Sequence, residues 1–127
     1  MDRVDILGTH IKPSKRRASI YYWSPVDSKG FSKWMAKARL DMTTMKKMLA
    51  QLLIYSKTGL PRRNREKFRH VDGKICELKP TSQIRLLGFE DGSDFIIVAT
   101  DVKKTNKLSL QCIDRAKKLR EMYYEKQ

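Results

Sequence analysis

Three short runs follow one another in the second half of the chain: KICELK at residues 74–79, IRLLGF at 84–89 and FIIVAT at 95–100. Each run has the length and the Ile, Leu, Val or Phe content of a β-strand. The Asp91-Gly92 pair between the last two runs is a strong hairpin signal. Three strands joined by short turns form an antiparallel meander, and this stretch therefore decides the fold.

Basic residues recur where these strands converge. Lys79 closes the first run, Arg85 stands near the start of the second, and Lys103 and Lys104 follow the third. A meander of this length needs apolar residues on its buried face, so these charges are best explained by a negative group that they meet. The most direct candidate is a phosphate backbone.

The remaining segments add one strand, three helices and an N-terminal arm. The predicted elements are, in order, a strand at 19–23, a helix from Asp27 or Ser28 to Ala38, a helix capped by Thr43 or Thr44 and ended by Gly59 and Pro61, the three strands, and a helix at 108–125. The order β-α-α-β-β-β-α predicts an α+β fold with the helices packed on one face of a small antiparallel sheet. Residues 1–18 are rich in charge and read as a poorly ordered arm or a loosely docked leader, while 19–127 form one domain.

Charge is the most unusual global property of the chain. With 28 basic and 14 acidic side chains among 127 residues, the formal net charge is +14. This excess favours a polyanionic partner, which could be RNA, DNA, the ribosome or an acidic protein. The longest apolar runs are too short to span a membrane and no signal peptide is visible, so we expect a cytoplasmic protein without a membrane partner.

Cysteines and histidines are too few and too scattered for a metal centre. Cys76 and Cys112 have no paired spacing, and the histidines of the chain are His10 and His70. Neither pattern fits zinc ligands or two histidines in acid and base roles. We therefore expect neither a metal site nor a cofactor.

The order of elements resembles the RelE/ParE toxin superfamily, and most closely its phage-derived HigB-like branch. The resemblance depends on the ELK segment at 77–79, the arginine near the start of the next strand, the apolar strand at 95–98 and the KKT segment at 103–105. It implies a RelE-like fold and the toxin of a type II toxin–antitoxin system. Ribonuclease members cut messenger RNA without a metal ion, commonly on the ribosome, and a small antitoxin, here expected to be a helix-turn-helix protein, holds them inactive.

The resemblance and the strand pattern place the candidate catalytic chemistry on five residues. The family's strand arginine corresponds to Arg85, and its basic positions correspond to Lys79, Lys103 and Lys104. Alternation along the strand puts Glu77 on the face of Lys79, which makes Glu77 a candidate base. Cleavage of RNA by its own 2′-hydroxyl needs a base, an acid and positive charge at the phosphorane, and a lysine could move the proton in place of a histidine.

A second basic set is predicted to bind nucleic acid: Arg62, Arg63, Arg65, Lys67, Arg69 and Lys74. Such dense like charge repels itself unless something screens it, as phosphates would. Simpler explanations stay open, namely antitoxin docking for this set, and a solvated sheet face or ion pairs with Glu77 for Arg85 and Lys79. Two other functions also stay open, a ParE-like gyrase inhibitor that cuts nothing, and a noncatalytic phage-derived module that binds nucleic acid or a protein.

Overall fold

The computed structural model describes residues 3–102 and 110–126. Within these ranges the chain forms one six-stranded sheet, three α-helices and a short 3-10 helix at Pro13–Lys15. The strands are β1 (Val4–Asp5), β2 (Ile20–Tyr22), β3 (Phe68–Asp72), β4 (Ile75–Leu78), β5 (Ile84–Asp91) and β6 (Asp94–Val102), and the helices are α1 (Gly30–Ala38), α2 (Met42–Thr58) and α3 (Leu110–Glu125). The predicted α+β class is confirmed.

The sheet has the strand order β1-β2-β6-β5-β4-β3. Strands β3 to β6 form the antiparallel meander, and the tight turn between β5 and β6 contains Gly92 at φ 63°. Strand β2 lies parallel to β6, so the sheet is mixed and not wholly antiparallel as predicted. The chain passes from β2 through α1, α2 and strands β3 to β5 before it forms β6, and a long connection of this kind permits parallel pairing.

Both faces of the sheet are covered by helices, whereas we predicted helices on one face. Alternate residues of β5 point to opposite sides. Leu86 belongs to one apolar cluster with Met48 and Leu52 of α2, and Leu87 belongs to another with Tyr123 of α3. The unbroken apolar character of IRLLGF is typical of a strand buried on both faces, and every residue of this run is buried.

The N-terminal segment is part of the folded unit from residue 3 onward, in contrast to the loosely docked arm predicted for 1–18. Strand β1 pairs with β2, and Leu7 and Ile11 belong to the apolar core on the side of α1 and α2. The Arg16 guanidinium is nearly fully buried, forms an ion pair with Asp5 at 2.8 Å and donates to the Ile11 carbonyl at 2.9 Å. A buried guanidinium needs such partners, and these contacts hold the segment against the sheet.

Two element boundaries also differ from the prediction. Helix α2 begins at Met42 because Asp41 caps it, its side chain accepting a hydrogen bond from the backbone N–H of Thr44. Strand β3 is an element that the predicted order does not contain, and it begins at Phe68, before the first run of the predicted meander. This additional strand extends the meander by one edge strand and brings a further basic residue onto the sheet.

Candidate active site

Neighbouring strands place the predicted catalytic residues on one face of the sheet. Glu77 of β4 pairs directly with Arg69 of β3 on one side and with Leu87 of β5 on the other. Directly opposed residues of paired strands point to the same face. Because faces alternate along a strand, Lys79, two residues after Glu77, and Arg85, two residues before Leu87, share that face as well. It is the face that α3 covers.

The three basic side chains converge on one carboxylate, and we call this group the Glu77 cluster (Arg69, Glu77, Lys79 and Arg85). Arg69 Nε donates to Glu77 Oε1 at 3.0 Å, and Lys79 Nζ lies 3.9 Å from the same oxygen. Arg85 Nε lies 3.6 Å from Glu77 Oε2. The ion pairs with Glu77 that the sequence left open are therefore present. The side chains of Lys79 and Arg85 approach the same carboxylate.

Burial within the Glu77 cluster increases from the edge strand inward. The side chain of Arg69 is 43% exposed, that of Lys79 20%, and those of Arg85 and Glu77 only 2% and 0%. Of the three cations in the cluster, Arg69 and Lys79 are thus the two that a ligand reaches first, with Arg85 behind them. Glu77 exposes no side-chain surface to a substrate hydroxyl, so this geometry favours charge balance over the predicted role as base.

A cleft of about 440 Å³ opens beside Lys79. Its walls come from α2, from the segment before β3 and from the turn between β4 and β5, and its lining residues are Gln51, Glu66, Lys67, Lys79, Pro80, Thr81 and Ser82. The Lys79 N–H donates to the Lys67 carbonyl at 2.7 Å, and the Tyr55 hydroxyl donates to the Lys79 carbonyl at 3.3 Å. Lys79 therefore belongs both to the Glu77 cluster and to the cleft.

The family comparison agrees with the resemblance seen in the sequence. Residues 35–121 match the family described as phage-derived protein Gp49-like (DUF891). The chain belongs to the Gp49-like family. The matched range covers more than half of the chain and includes all of the Glu77 cluster. This family lies within the RelE/HigB-like toxin superfamily and is related to the toxins of toxin–antitoxin systems. No curated protein matches the chain.

The predicted nucleic-acid-binding set of this Gp49-like protein is divided between a surface segment and the sheet. The members between α2 and β3 are all exposed: Arg62, Arg63, Arg65 and Lys67. Arg62 among them forms an ion pair with Glu90. Lys74 is exposed in the turn between β3 and β4, while Arg69 lies in β3 and contacts Glu77. The structure therefore separates Arg69 from the basic segment and brings it to the candidate active site.

Sequence reasoning missed this placement of Arg69, although a signal for it was present. The signal is the Asp72-Gly73 pair, a dipeptide typical of hairpin turns, and a hairpin turn needs a strand on each side. That rule predicts a strand before Asp72 that pairs with β4. In the observed register, such a strand sets Arg69 directly opposite Glu77.

Other predicted or chemically capable residues do not join the cluster in the part of the chain described. Lys103 and Lys104 lie outside the described residues. His70 follows Arg69 in β3 and so faces the opposite side of the sheet, where its ring meets the edge of Phe68 at a centroid distance of 6.0 Å. This histidine is therefore not placed to exchange a proton with a ligand at the Glu77 cluster.

Two further titratable side chains, those of Tyr123 and Cys76, are buried and pack in the core. Tyr123 is buried near the end of β5 that lies away from Arg85, and its hydroxyl donates to Asp91 at 3.0 Å; burial raises the pKa of this phenol. Burial also raises the pKa of the Cys76 thiol to about 11, which makes Cys76 a poor nucleophile at neutral pH. Both groups are explained by packing.

Two other features are absent from the part of the chain that the structure describes. Within residues 3–102 and 110–126, no three or more His, Cys, Asp or Glu side chains are grouped so that they could hold a metal ion. Among the helices of the same ranges, none combines the length and apolar character that crossing a membrane requires.

Proposed function

We propose that the protein is the toxin of a type II toxin–antitoxin system, of the HigB-like branch, and that it cleaves messenger RNA on the ribosome in the cytoplasm. Membership of the Gp49-like family supports the toxin class, and the net charge of +14 supports an RNA or ribosomal partner. The observation that carries the proposal is the convergence of Lys79, Arg85 and Arg69 on one face of the sheet. Cations held at set positions stabilise the negative charge that develops on a phosphate during cleavage.

The proposed reaction is attack of the 2′-hydroxyl on the adjacent phosphate, which leaves a 2′,3′-cyclic phosphate and a free 5′-hydroxyl. Lys79 and Arg69 contact the phosphate oxygens, because they are the exposed cations of the cluster. Arg85 adds positive charge from behind them. Lys79 is also a candidate to move the proton, together with Lys103 and Lys104. This scheme needs no metal ion, since the side chains supply the charge.

An antitoxin is part of the proposal, and we expect a helix-turn-helix protein. An apolar groove of about 250 Å³ lies between the N-terminal segment and helices α1 and α2, and Met35, Met45 and Met48 line part of it. Flexible methionine side chains adapt well to an apolar helix face of a partner. Co-expression of the antitoxin should relieve toxicity, and a Met45→Glu substitution should weaken co-purification of the pair.

The test is primer extension on transcripts after induced expression in bacteria, and on translating ribosomes with purified protein. The wild type should create new RNA ends, and Lys79→Gln should reduce them by roughly 10²-fold, the usual effect of removing one charge-stabilising group. Lys118→Gln, at an exposed position of α3, is the matched control and should cut like the wild type. Melting temperatures of each variant show that the fold is retained.

Three outcomes contradict parts of this proposal. Undiminished cleavage by the Lys79→Gln variant would show that the Glu77 cluster takes no part in the cleavage reaction. Inhibition of gyrase supercoiling without new RNA ends would favour the ParE-like alternative. RNA binding without cleavage and without gyrase inhibition would favour the noncatalytic module.

A further inference from the structure

We propose that the apolar groove between the N-terminal segment, α1 and α2 binds an acidic amphipathic helix of a partner protein, and that this helix binds at the same time as a ligand at the Glu77 cluster. We call this surface the α1–α2 groove; its lining includes Ile6, Phe31, Met35, Met45 and Leu49. The inference rests on the proposed function, in which the partner is the antitoxin. It adds the chemistry of the docking element and its relation to the substrate site.

The size and lining of the α1–α2 groove suit a few apolar side chains better than a small-molecule ligand. Its volume is about 250 Å³, below the range of about 300–1,000 Å³ that is typical of small-molecule pockets. In the described part of the chain, its lining side chains are apolar except for that of His10. The apolar surface continues along α2, because Met42, which is 63% exposed, lies one turn before Met45. A helix with apolar residues at i, i+3 or i+4 and i+7 fits such a groove.

The exposed charge on α1, on α2 and beside them is nearly all positive. Between residues 29 and 58, all of which the structure describes, seven of the eight exposed charged side chains are basic: Lys29, Lys33, Lys37, Arg39, Asp41, Lys46, Lys47 and Lys57. Helix α3, on the other side of the sheet, exposes three basic and three acidic side chains: Asp114, Arg115, Lys117, Lys118, Glu121 and Glu125. The positive bias is therefore a property of this side of the molecule, and charge complementarity selects an acidic partner.

Lys46 is the basic residue whose position on α2 ties the charge to the apolar surface. Residues three and four positions apart are neighbours on a helix surface, so Lys46 adjoins both Met42 and Leu49. Leu49 lines the groove, and Lys46 is exposed. A partner helix that covers Met42 and Leu49 therefore brings its polar flank next to Lys46.

Two other occupants satisfy only part of these requirements. A two-fold dimer brings the same surface of both copies together, so α1 and α2 would meet their own basic side chains, and like charges oppose association. Nucleic acid matches the charge but has no aliphatic side chains to fill the groove. An acidic amphipathic helix meets both the apolar and the charge requirement.

The α1–α2 groove and the Glu77 cluster lie on opposite faces of the sheet. Met48, which lines the groove, belongs to one apolar cluster with Leu78 and Leu86. Glu77 and Arg85 precede these two leucines in β4 and β5, so their side chains point to the other face. The described lining of the groove includes none of the four residues of the Glu77 cluster. A helix in the groove therefore leaves the Glu77 cluster open to a phosphate.

Methyl NMR of the full-length protein labelled at methionine tests the docking site directly. The probe is a designed peptide of about 18 residues, long enough to form a helix, with leucines on one face and glutamates on the other. A scrambled peptide of the same composition controls for charge alone. We expect the signals of Met35, Met45 and Met48 to shift and that of Met122, in α3, to stay unchanged. The amphipathic peptide should bind at least tenfold more tightly than the scrambled one.

Charge reversal at two exposed lysines tests the recognition of acidic groups. Lys46→Glu should weaken binding of the amphipathic peptide about fivefold, because repulsion replaces attraction at an exposed position. Lys118→Glu, on α3, is the matched control and should change the affinity by less than twofold. Both side chains are exposed, so neither change removes a core contact.

Fluorescence anisotropy of a labelled RNA oligonucleotide tests simultaneous binding. A weaker RNA affinity in Lys79→Gln shows that the RNA occupies the Glu77 cluster. With the amphipathic peptide at saturation, the RNA affinity should change by less than twofold at an ionic strength of about 0.15 M, where the Debye length is about 8 Å. Displacement of the RNA by the peptide, or an RNA affinity that does not depend on Lys79, would overturn simultaneous occupancy.

Other results would overturn the acidic helix as the occupant. Equal affinity for the two peptides, or equal effects of the two charge reversals, would remove the basis for it. RNA that shifts the signals of Met35 and Met45 would assign the groove to nucleic acid, and a dimer that shifts them without peptide would assign it to a second copy. If new RNA ends appear but the peptide shifts no methionine signal, the docking site fails and the proposed function stands. If the peptide docks but no RNA is cut, the proposed function fails and the docking site stands.

Discussion

Replacing Glu77 by glutamine should destabilise the protein strongly, because the change removes a buried charge and keeps the size of the side chain. Arg85 is 2% exposed and lies 3.6 Å from the Glu77 carboxylate, so it would lose the buried negative charge opposite it. Loss of one member of a buried ion pair costs about 3–5 kcal/mol. Arg69 and Lys79 are 43% and 20% exposed, and water compensates their charges to a large extent. The 3.6 Å distance places the Arg85 pair at the lower end of the range, about 3 kcal/mol.

A thermal melt followed by circular dichroism measures this effect directly. Unfolding entropy of roughly 2.1 cal/mol/K per residue, applied to 127 residues, converts about 3 kcal/mol into a decrease in Tm of about 11 °C. Glu121→Gln makes the same chemical change at an exposed position of α3. This control should change the free energy of unfolding by no more than about 0.5 kcal/mol.

A double-mutant cycle decides whether the cost comes from the pair. Glu77→Gln combined with Arg85→Met removes both buried charges and should be more stable than the sum of the two single losses implies. Two results would refute the reasoning: a Tm decrease below about 3 °C for Glu77→Gln, which is less than 1 kcal/mol, or strictly additive losses in the double variant. Either one would mean that Glu77 and Arg85 do not balance each other.

Three other substitutions test the fold around the site. Leu7→Ala should cost about 3 kcal/mol in urea unfolding because Leu7 is fully buried, whereas a loosely docked arm would lose almost nothing. Gly88→Ala should cost about 3 kcal/mol or more, since a Cβ there would lie against the backbone carbonyl of Ile96 at the bulge between β5 and β6; a near-wild-type Tm would contradict the register. Burial raises the pKa of Tyr55 to about 12 from 10.0, so the unfolded chain loses the phenol proton first and stability falls as pH rises from 10 to 12. Urea midpoints of Tyr55→Phe should fall less over that range, and an equal fall would disprove this contribution.

The meander could be predicted because its signals are local in sequence. The Asp91-Gly92 turn and the apolar runs on either side of it determine which strands pair, and β5 and β6 pair through this turn as expected. The helices were equally accessible, since their apolar spacing is visible without knowledge of the partner surface. The N-terminal cap of α2 was harder to predict, because Asp41, Thr43 and Thr44 are all acceptable capping residues.

The pairings that were missed depend on contacts between distant parts of the chain. Strand β1 contains only Val4–Asp5, too short to give a period, and it is recognisable only once β2 is in place. The parallel pairing of β2 with β6 joins residues far apart in the sequence. Leu7 and Ile11 are isolated apolar residues in a charged segment, so burial on the α1–α2 side could not be read from a pattern.

Most residues of the candidate site could be predicted from the sequence, but the burial of their side chains could not. Strand alternation correctly placed Glu77 and Lys79 together, and the family pattern supplied Arg85. The burial of Arg85 depends on tertiary contacts, which strand alternation does not reveal. Arg69 joined the group only when β3 was seen to pair with β4.

This difference in burial gives the basic residues of the Glu77 cluster unequal roles. A phosphate that approaches from solvent meets Arg69 and Lys79, and it competes with Glu77 for both. The Lys79 contact to Glu77 is long, at 3.9 Å, so this lysine can turn toward a ligand at little cost. Arg85 and Glu77 are both buried, so separating their charges would carry a desolvation penalty. The buried pair therefore acts as the rigid support, and the exposed cations are the groups that meet the substrate.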